Sequence, residues 1–449
     1  MNPDTLYIKT PITKLFFMAA IPGSIGMLAS SLYGLVDGIL VGRILGETAF
    51  AALGLAFPFV VMNFSLADLI GVGSSVLISI ALGKKQEQKA NNIFTCSVLM
   101  IILTGSIIGA LLYFTAPVLM YLMGAEGELA YLAVRFLRVS CLFSPVNTIV
   151  FATDNYLRIC GKIRTSMTFN ILMSIGIIII EFVLLVHLKM GVEGAALATC
   201  ISMFFIAVLS IYPFVRRKLQ LKFCRPSFDI ETIKQIVVSG SPVFINNIAA
   251  RATSILMNVV LIKHGGQSAV AIYGILMYLC DLIQPLLYGV SDSLQPAIGY
   301  NYGAGLTSRI KAIVKHCLGA SAVISIGAMA VMLCFPKTII LLFLNETDNT
   351  VLQTAVHALR LFSLTYLTRW ISYTAQSYLT ALDKSFRASI LSLSYAFILP
   401  AFLVVVLYPL KLEGIWLNFA ITSAILAIFS IIFMLRTEKE ILSNTSHNN

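Results

Sequence analysis

The chain has 449 residues, of which 58% are hydrophobic and 11% are charged, and its mean hydropathy is +0.91. A water-soluble domain carries about 25% charged residues, so this composition excludes an ordinary soluble protein. The net charge of +11 is typical of nucleic-acid-binding proteins, but most of the basic residues fall in loops on one predicted side of a membrane, so we expect no nucleic-acid partner.

Long apolar segments follow one another along the whole chain. A helix needs roughly 20 apolar residues to cross the hydrocarbon core of a bilayer. The sequence predicts twelve spans, at residues 12–42, 49–82, 93–120, 129–158, 166–188, 192–215, 235–262, 268–301, 312–344, 351–381, 386–409 and 412–435.

The two halves of the chain repeat each other at an offset of 220 residues, which becomes 222 where Tyr156 and Leu157 recur as Tyr378 and Leu379. The residues Gly46, Ala49, Ala51, Gly54 and Gly83 recur as Gly266, Ala269, Ala271, Gly274 and Gly303. Six spans in each half bring both halves into the membrane from the same side, which predicts repeats related by an axis along the membrane normal. We therefore expect an all-α membrane protein with twelve transmembrane helices in two six-helix lobes related by pseudo-two-fold symmetry. The predicted division is an N-lobe at 1–215, a cytoplasmic linker at 216–234 and a C-lobe at 235–449.

The basic residues also predict the orientation. Most of the 31 Lys and Arg residues fall on the side that carries the N-terminus, which is the positive-inside pattern. The sequence thus predicts a multi-pass protein of the plasma (inner) membrane, with both termini in the cytoplasm and membrane lipid as a partner.

Two acidic residues stand out inside the apolar spans, where ionisable groups are costly and are functional candidates. Asp37 and Glu181 both fall in the outer half of the N-lobe. At the repeat offset they face Met257 and Ala401, so neither has an acidic counterpart in the C-lobe. We predict that Asp37 and Glu181 form one cation-coupling site; a buried structural acid is the alternative.

Further candidates divide into polar and aromatic groups. The secondary polar candidates are Asp68, Asp281, Arg251 and Arg369, and the two arginines could neutralise Asp281 either as a structural ion pair or along an ion pathway. The aromatic candidates for a substrate cavity, which would favour flat organic cations through their ring faces, are Tyr33, Phe57, Phe64, Tyr273 and Tyr278. Ordinary packing is the alternative for each aromatic residue.

The sequence carries no phosphate-binding loop, no dinucleotide fingerprint and no cluster of metal ligands or catalytic groups. We therefore expect a protein that is not an enzyme and needs no cofactor beyond a coupling ion. That ion is H⁺ or Na⁺, and a Na⁺ ion at Asp37 is the one metal site that the sequence suggests.

Several segments resemble the multidrug and toxic compound extrusion (MATE) family, and in particular its DinF-type bacterial branch. The most specific are SLYGLVDGILVGRILGETAFAALGLAFP at 31–58, GVGSSVLISIALGKK at 71–85, GVEGAALAT at 191–199 and GVSDSLQPAIGYNYGAG at 289–305. The resemblance implies two six-helix lobes flanking a central cavity that opens alternately to either side. It also places Asp37 in the family pattern SLYxxxD, at the cation site of the N-lobe.

The family pattern NxxxDP in the fifth helix aligns its acid with Glu181. The asparagine position is Ile177 and the proline position is Phe182, so the chain departs from the pattern on both sides of the acid. This departure leaves open whether the helix bends as usual and which ion is bound.

The sequence therefore predicts a monomeric secondary active antiporter. It would export cationic or amphipathic organic compounds (drugs, dyes and toxic metabolites) in exchange for H⁺ or Na⁺. The alternative is a lipid-linked oligosaccharide flippase of a related two-lobed exporter family, for which the deep arginines give weak support.

Overall fold

A computed structural model describes residues 3–343 and 349–446 of the chain. Helix accounts for nearly all of these residues, and no strand occurs among them. The α-helices are α1 Ile12–Leu45, α2 Glu47–Gly83, α3 Glu87–Leu122, α4 Gly127–Leu142, α5 Ser144–Ile159, α6 Ile163–Phe182, α7 Gly191–Val215, α8 Ile230–Asp292, α9 Gln295–Gly303, α10 Thr307–Cys334, α11 Pro336–Leu341, α12 Asn349–Ser363, α13 Arg369–Ala381, α14 Ser385–Leu393, α15 Leu399–Val406 and α16 Lys411–Ser446. Short π-helical turns cover Thr5–Lys9, Val183–His187 and Ser394–Ile398, and 3₁₀ turns cover Leu364–Leu367 and Tyr408–Leu410.

In the described ranges, nine helical stretches are long and apolar enough to cross a membrane. The bent pair α4 and α5, which meet at 61°, makes ten. One of the nine, Ile230–Gly303, contains two predicted spans, and the predicted span 351–381 is interrupted by the 3₁₀ turn Leu364–Leu367. Each of the twelve predicted spans thus lies almost entirely on helix; residue 344, at the end of one of them, is outside the described residues. The all-α membrane fold class is confirmed.

The duplicated glycines mark equivalent breaks between helices. Gly46, just before α2, has φ = +86°, and its repeat counterpart Gly266 interrupts α8 with φ = +64°. A left-handed conformation is unfavourable for a residue with a Cβ atom, whereas glycine adopts it readily. The repeat in sequence is therefore also a repeat in backbone geometry.

The same correspondence holds where the amino acids differ. Lys85 and its counterpart Gly305 both have positive φ, at +59° and +73°. Each follows a helix that ends with the same kind of hydrogen bond, from Gln86 N to Ala81 O and from Leu306 N to Asn301 O, both 2.9 Å. Equivalent turns occur at Gly161 and Asp383, and at Gly191 and Lys411.

The helices form two compact units. Unit 1 comprises residues 1–10 and 25–244, and unit 2 comprises residues 11–24 and 245–449. The first part of α1 thus belongs to unit 2, whereas the first part of α8, at the equivalent place in the repeat, belongs to unit 1. The boundaries predicted at 215 and 235 stay predictions.

Small residues allow the exchanged segments to pack closely inside each unit. In unit 1, a Cβ atom on Gly240 of α8 would overlap the carbonyl of Leu69 in α2. In unit 2, a Cβ atom on Gly289 would overlap the backbone of Ser24 in α1. Gly289 is itself the repeat counterpart of Leu69, so the two close approaches are equivalent in the repeat.

Candidate functional site

Asp37 lies on α1, in the part of the helix that belongs to unit 1. Its side chain is half-buried. Tyr33 lies one turn earlier on the same helix, close enough for the charge of Asp37 to act on its hydroxyl group. The helix thus brings a carboxylate and a phenol oxygen together on one face.

Glu181 lies near the end of α6, also in unit 1. Its side chain is fully buried. With both acids ionised, neither carboxylate oxygen of Glu181 has a hydrogen-bond partner within the described ranges. A buried carboxylate without donors loses its hydration, and a bound proton or cation would compensate that loss.

The structure brings these two predicted residues together. The carboxyl groups of Asp37 and Glu181 act on each other electrostatically, although they lie on different helices, α1 and α6, and once one of them is protonated they can share a hydrogen bond. Two neighbouring carboxylates repel when both are ionised, and a bound proton or cation removes the repulsion. Chemically, the pair can therefore take up H⁺, or it can supply oxygen ligands of the type that Na⁺ shares with other hard cations.

The helix that carries Glu181 is irregular immediately after it. The regular turns of α6 end at Phe182, and a π-helical turn follows at Val183–His187. Single π-helical turns within α-helices are frequent at functional sites. The backbone thus departs from regular geometry here even though Phe182 stands where the family pattern has proline.

The other departure from the pattern, Ile177, is fully buried one turn before Glu181. It belongs to an apolar cluster with Met173 of α6 and Val150 of α5. Tyr33 and Phe64 pack on this cluster, and Phe64 also contacts Phe151, with ring centres 5.0 Å apart. Ile177 and Tyr33, each one turn before an acid, thus link the acids to this apolar cluster.

The remaining aromatic candidates are in different surroundings. Phe57 is 51% exposed on α2. Tyr273 is buried in the core of unit 2, where its ring stacks on Phe419, and Tyr278 is exposed and stacks on Phe343. Core packing already accounts for the position of Tyr273. A cavity role for these five aromatic residues stays a prediction.

The secondary polar candidates are split between the units. Asp68 is half-buried on α2 in unit 1, whereas Asp281, Arg251 and Arg369 all belong to unit 2. The charges of Arg251 and Arg369 both act on Asp281, as the sequence suggested. These three residues therefore form an electrostatic group within unit 2.

Arg369 also has an aromatic environment that was not apparent from the sequence. The side chain is 4% exposed, and its Nε and Nη2 atoms donate to the hydroxyl of Tyr373 at 2.9 and 2.5 Å. Its guanidinium lies 5.8, 5.1 and 4.9 Å from the ring centres of Tyr366, Tyr373 and Tyr395. The sequence could have predicted the contact with Tyr373, which lies one turn after Arg369. It gives no signal for Tyr395, which comes from a different helical segment.

Asp154, a further acid of unit 1, is held by polar partners. The carboxylate of Asp154 lies 2.6 Å from Arg158 and accepts hydrogen bonds from Ser166 and from Asn170, the latter at 3.0 Å. Asp154 is therefore stabilised by partners, in contrast to Glu181. Clusters of three or more His, Cys, Asp or Glu side chains that could hold a metal ion are absent from the part of the chain that the structure describes.

The family model of MatE matches residues 22–183 and 242–406. The two matched segments begin at positions that are counterparts in the internal repeat. The chain belongs to the MatE family. Proteins of this family are membrane transporters and not enzymes, so the predictions of transport and of a non-enzymatic protein are confirmed.

Curated MatE relatives match almost end to end. The chain is 26% identical over 445 residues to the multidrug export protein MepA of Staphylococcus aureus (strain NCTC 8325 / PS 47), covering 97% of both chains. It is 26% identical over 444 residues to MepA of Staphylococcus saprophyticus, again covering 97% of both chains. These relatives do not favour the flippase alternative.

Solved structures show the same fold. A crystal structure of a MATE protein in complex with MaL6 has a TM-score of 0.93 at 22% identity, covering 98% of this chain and 99% of the other. A MOP superfamily transporter from Pyrococcus furiosus has a TM-score of 0.91 at 23% identity, covering 98% of each chain. The MatE fold of this chain therefore agrees with the fold that the sequence resemblance implied.

Proposed function

We propose that this MatE protein is a secondary active multidrug exporter of the plasma membrane, which exports cationic or amphipathic organic compounds in exchange for H⁺ or Na⁺. Its similarity to the MepA exporters supports the substrate class. The observation that carries the ion coupling is Glu181, a fully buried carboxylate that lacks a hydrogen-bond donor among the described residues when ionised and lies beside a second carboxylate, Asp37.

The proposed mechanism follows from the charge of this pair. When both acids are ionised, the pair carries a local negative charge that favours a cationic solute. Uptake of H⁺ or Na⁺ neutralises that charge, lowers the affinity for the solute and lets α1 repack, so the solute leaves. The ion and the solute thus compete for the ionised pair. The amount by which the bound ion weakens solute binding is the coupling free energy.

The test is transport by the purified full-length protein in proteoliposomes. Ethidium uptake or efflux is followed by its fluorescence under an imposed pH gradient and, separately, under an imposed Na⁺ gradient. We expect one of the two gradients to drive ethidium movement, and an ionophore that collapses that gradient to abolish it. Ethidium movement that needs neither gradient would overturn the proposal of ion coupling.

Single-residue variants tie the coupling to the acidic pair. Asp37→Asn is expected to abolish gradient-driven transport, and Glu181→Gln is expected to weaken it. Glu47→Gln is the matched control, because Glu47 is an exposed acid in the first turn of α2, also in unit 1. Loss of transport in the control as well would indicate a general effect of charge rather than a coupling site.

A further inference from the structure

Unit 2 contains a groove that the transport mechanism does not use. Its cavity volume is about 350 Å³, and its walls are α10, α13 and α16. All three helices belong to unit 2, and α10 and α16 are among the stretches long and apolar enough to cross a membrane. The groove therefore opens on a surface of membrane-spanning helices.

The groove is polar at one end and apolar at the other. Lys311 and Lys315 lie on the first turns of α10, and Lys311 Nζ lies 2.6 Å from Glu438 near the end of α16. About 10 Å further along the axis of each helix, the lining is apolar, with Leu318 on α10 and Ile431 on α16. This sequence of a charged end followed by an apolar channel matches the layout of a phospholipid.

The charge at the polar end selects an anion. Glu438 is paired with Lys311, whereas no ion pair of Lys315 occurs among the described residues. The lining of the groove thus carries one uncompensated positive charge. The basic loops predict that these residues lie on the cytoplasmic side of the membrane. Anionic lipids are enriched in that leaflet, and basic pockets between helices bind their head groups there.

The surrounding surface indicates a lipid rather than a water-soluble ligand. Exposed apolar side chains flank the groove on the same helices, with Ile428 and Ile432 on α16 and Val323 and Ile326 on α10. Exposed apolar surface on helices of membrane-spanning length marks a face that meets lipid or another protein. A soluble anion would contact only the polar end at Lys311 and Lys315, whereas a bilayer lipid would also cover the apolar lining of the groove.

We propose that this groove is a binding site for one anionic glycerophospholipid of the bilayer, with its phosphate at Lys315 and Lys311 and an acyl chain along Leu318 and Ile431. The bound lipid fills the space between α10, α13 and α16 and fastens the ends of these helices to the anionic leaflet. This site is independent of Asp37 and Glu181 and does not rest on the transport proposal.

Trp370 lines the groove and provides a direct reporter. The only other tryptophan of the chain, Trp416, is fully buried. In bilayers of phosphatidylcholine, increasing fractions of phosphatidylglycerol with brominated acyl chains should quench Trp370. Half-maximal quenching by brominated phosphatidylglycerol should occur at about fivefold lower mole fraction than quenching by brominated phosphatidylcholine. About 1 kcal/mol for the one uncompensated lysine gives this factor.

Two variants and a control make the test specific. The double variant Lys311→Gln with Lys315→Gln should make the quenching curves of phosphatidylglycerol and phosphatidylcholine coincide. Leu318→Trp in a Trp370→Phe background should fill the groove, so that less phosphatidylglycerol stays bound in native mass spectrometry. The control is Lys84→Gln with Lys89→Gln, two exposed lysines of unit 1, which should leave the fivefold preference unchanged. Equal quenching by both lipids in the wild type would overturn the proposal, and so would an equal loss of preference in the control. Displacement of the brominated lipid by ethidium but not by unlabelled phosphatidylglycerol would also overturn it.

Discussion

Unit 1 and unit 2 share a backbone framework but differ in their charged interior. The helix breaks at Gly46 and Gly266 and the turns at Lys85 and Gly305 repeat in geometry. The acid Asp37 of unit 1, however, has the fully buried core residue Met257 at the equivalent position of unit 2. Duplication thus preserved the positions where helices start and end, whereas the chemistry between them diverged.

The divergence runs in both directions. Unit 1 contains a carboxylate pair, and in unit 2 the charged group centres on Arg369, whose guanidinium is surrounded by tyrosines. In the register that aligns Tyr156 with Tyr378, the residue of unit 1 equivalent to Arg369 is the buried Asn147. This comparison supports the proposal that unit 1 exchanges an ion, whereas the charged centre of unit 2 is an arginine held by neighbouring tyrosines.

The largest expected effect separates the acids of the two units. Asp37→Asn should abolish gradient-driven ethidium transport, because the variant loses one carboxylate of the proposed coupling pair. Asp281→Asn should keep most of the transport, because Asp281 interacts with Arg251 and Arg369 of unit 2 and does not belong to the carboxylate pair. Transport assays on proteoliposomes containing equal amounts of each protein check this, and equal losses in the two variants would remove the proposed difference between the units.

A smaller effect is expected for the arginine centre of unit 2. Arg369→Lys keeps the charge but loses the planar stacking on three tyrosines and the forked hydrogen bonds to Tyr373. We expect the free energy of unfolding to fall by about 2–3 kcal/mol. Thermal unfolding in detergent measures this change. A fluorescent maleimide monitors it by reacting with buried cysteines such as Cys280 and Cys317 as they become exposed. An unchanged transition temperature would contradict a structural role for the stacking.

The smallest effect distinguishes two acids of unit 1 by their partners. Asp154→Asn removes the negative partner of Arg158. The free energy of unfolding should therefore fall by about 1–2 kcal/mol. Glu181→Gln removes a carboxylate that has no hydrogen-bond donor in the described ranges, so stability should stay equal or rise. The same unfolding assay compares them, and a larger loss for Glu181→Gln than for Asp154→Asn would show that Glu181 is a structural residue.

Much of the framework follows from local sequence. The apolar spans predicted the helices because length and hydropathy alone decide whether a helix can cross hydrocarbon. The repeat predicted equivalent breaks because glycine adopts positive φ at little cost, as Gly46 and Gly266 do. The pairing of Asp37 with Glu181 was also predicted, because both acids lie at similar depth in one lobe and neither has an acidic counterpart in the repeat.

Other features depend on packing between distant helices and were not predictable from local patterns. The tyrosines around Arg369 come from separate helical segments, and only the assembled unit brings Tyr395 to the guanidinium. The assignment of the first part of α1 to unit 2 depends on the close approach of Gly289 to Ser24. Neither arrangement leaves a periodic signal in the sequence.

The central claim is that the carboxylate pair of unit 1 exchanges the coupling ion. The most direct measurement is ion movement itself, recorded with pH-sensitive and Na⁺-sensitive dyes trapped in proteoliposomes when ethidium is added outside. The wild-type protein and Glu47→Gln should move one of the two ions on addition of ethidium, and Asp37→Asn should move neither. Movement of the same ion by Asp37→Asn at the wild-type rate would contradict the claim.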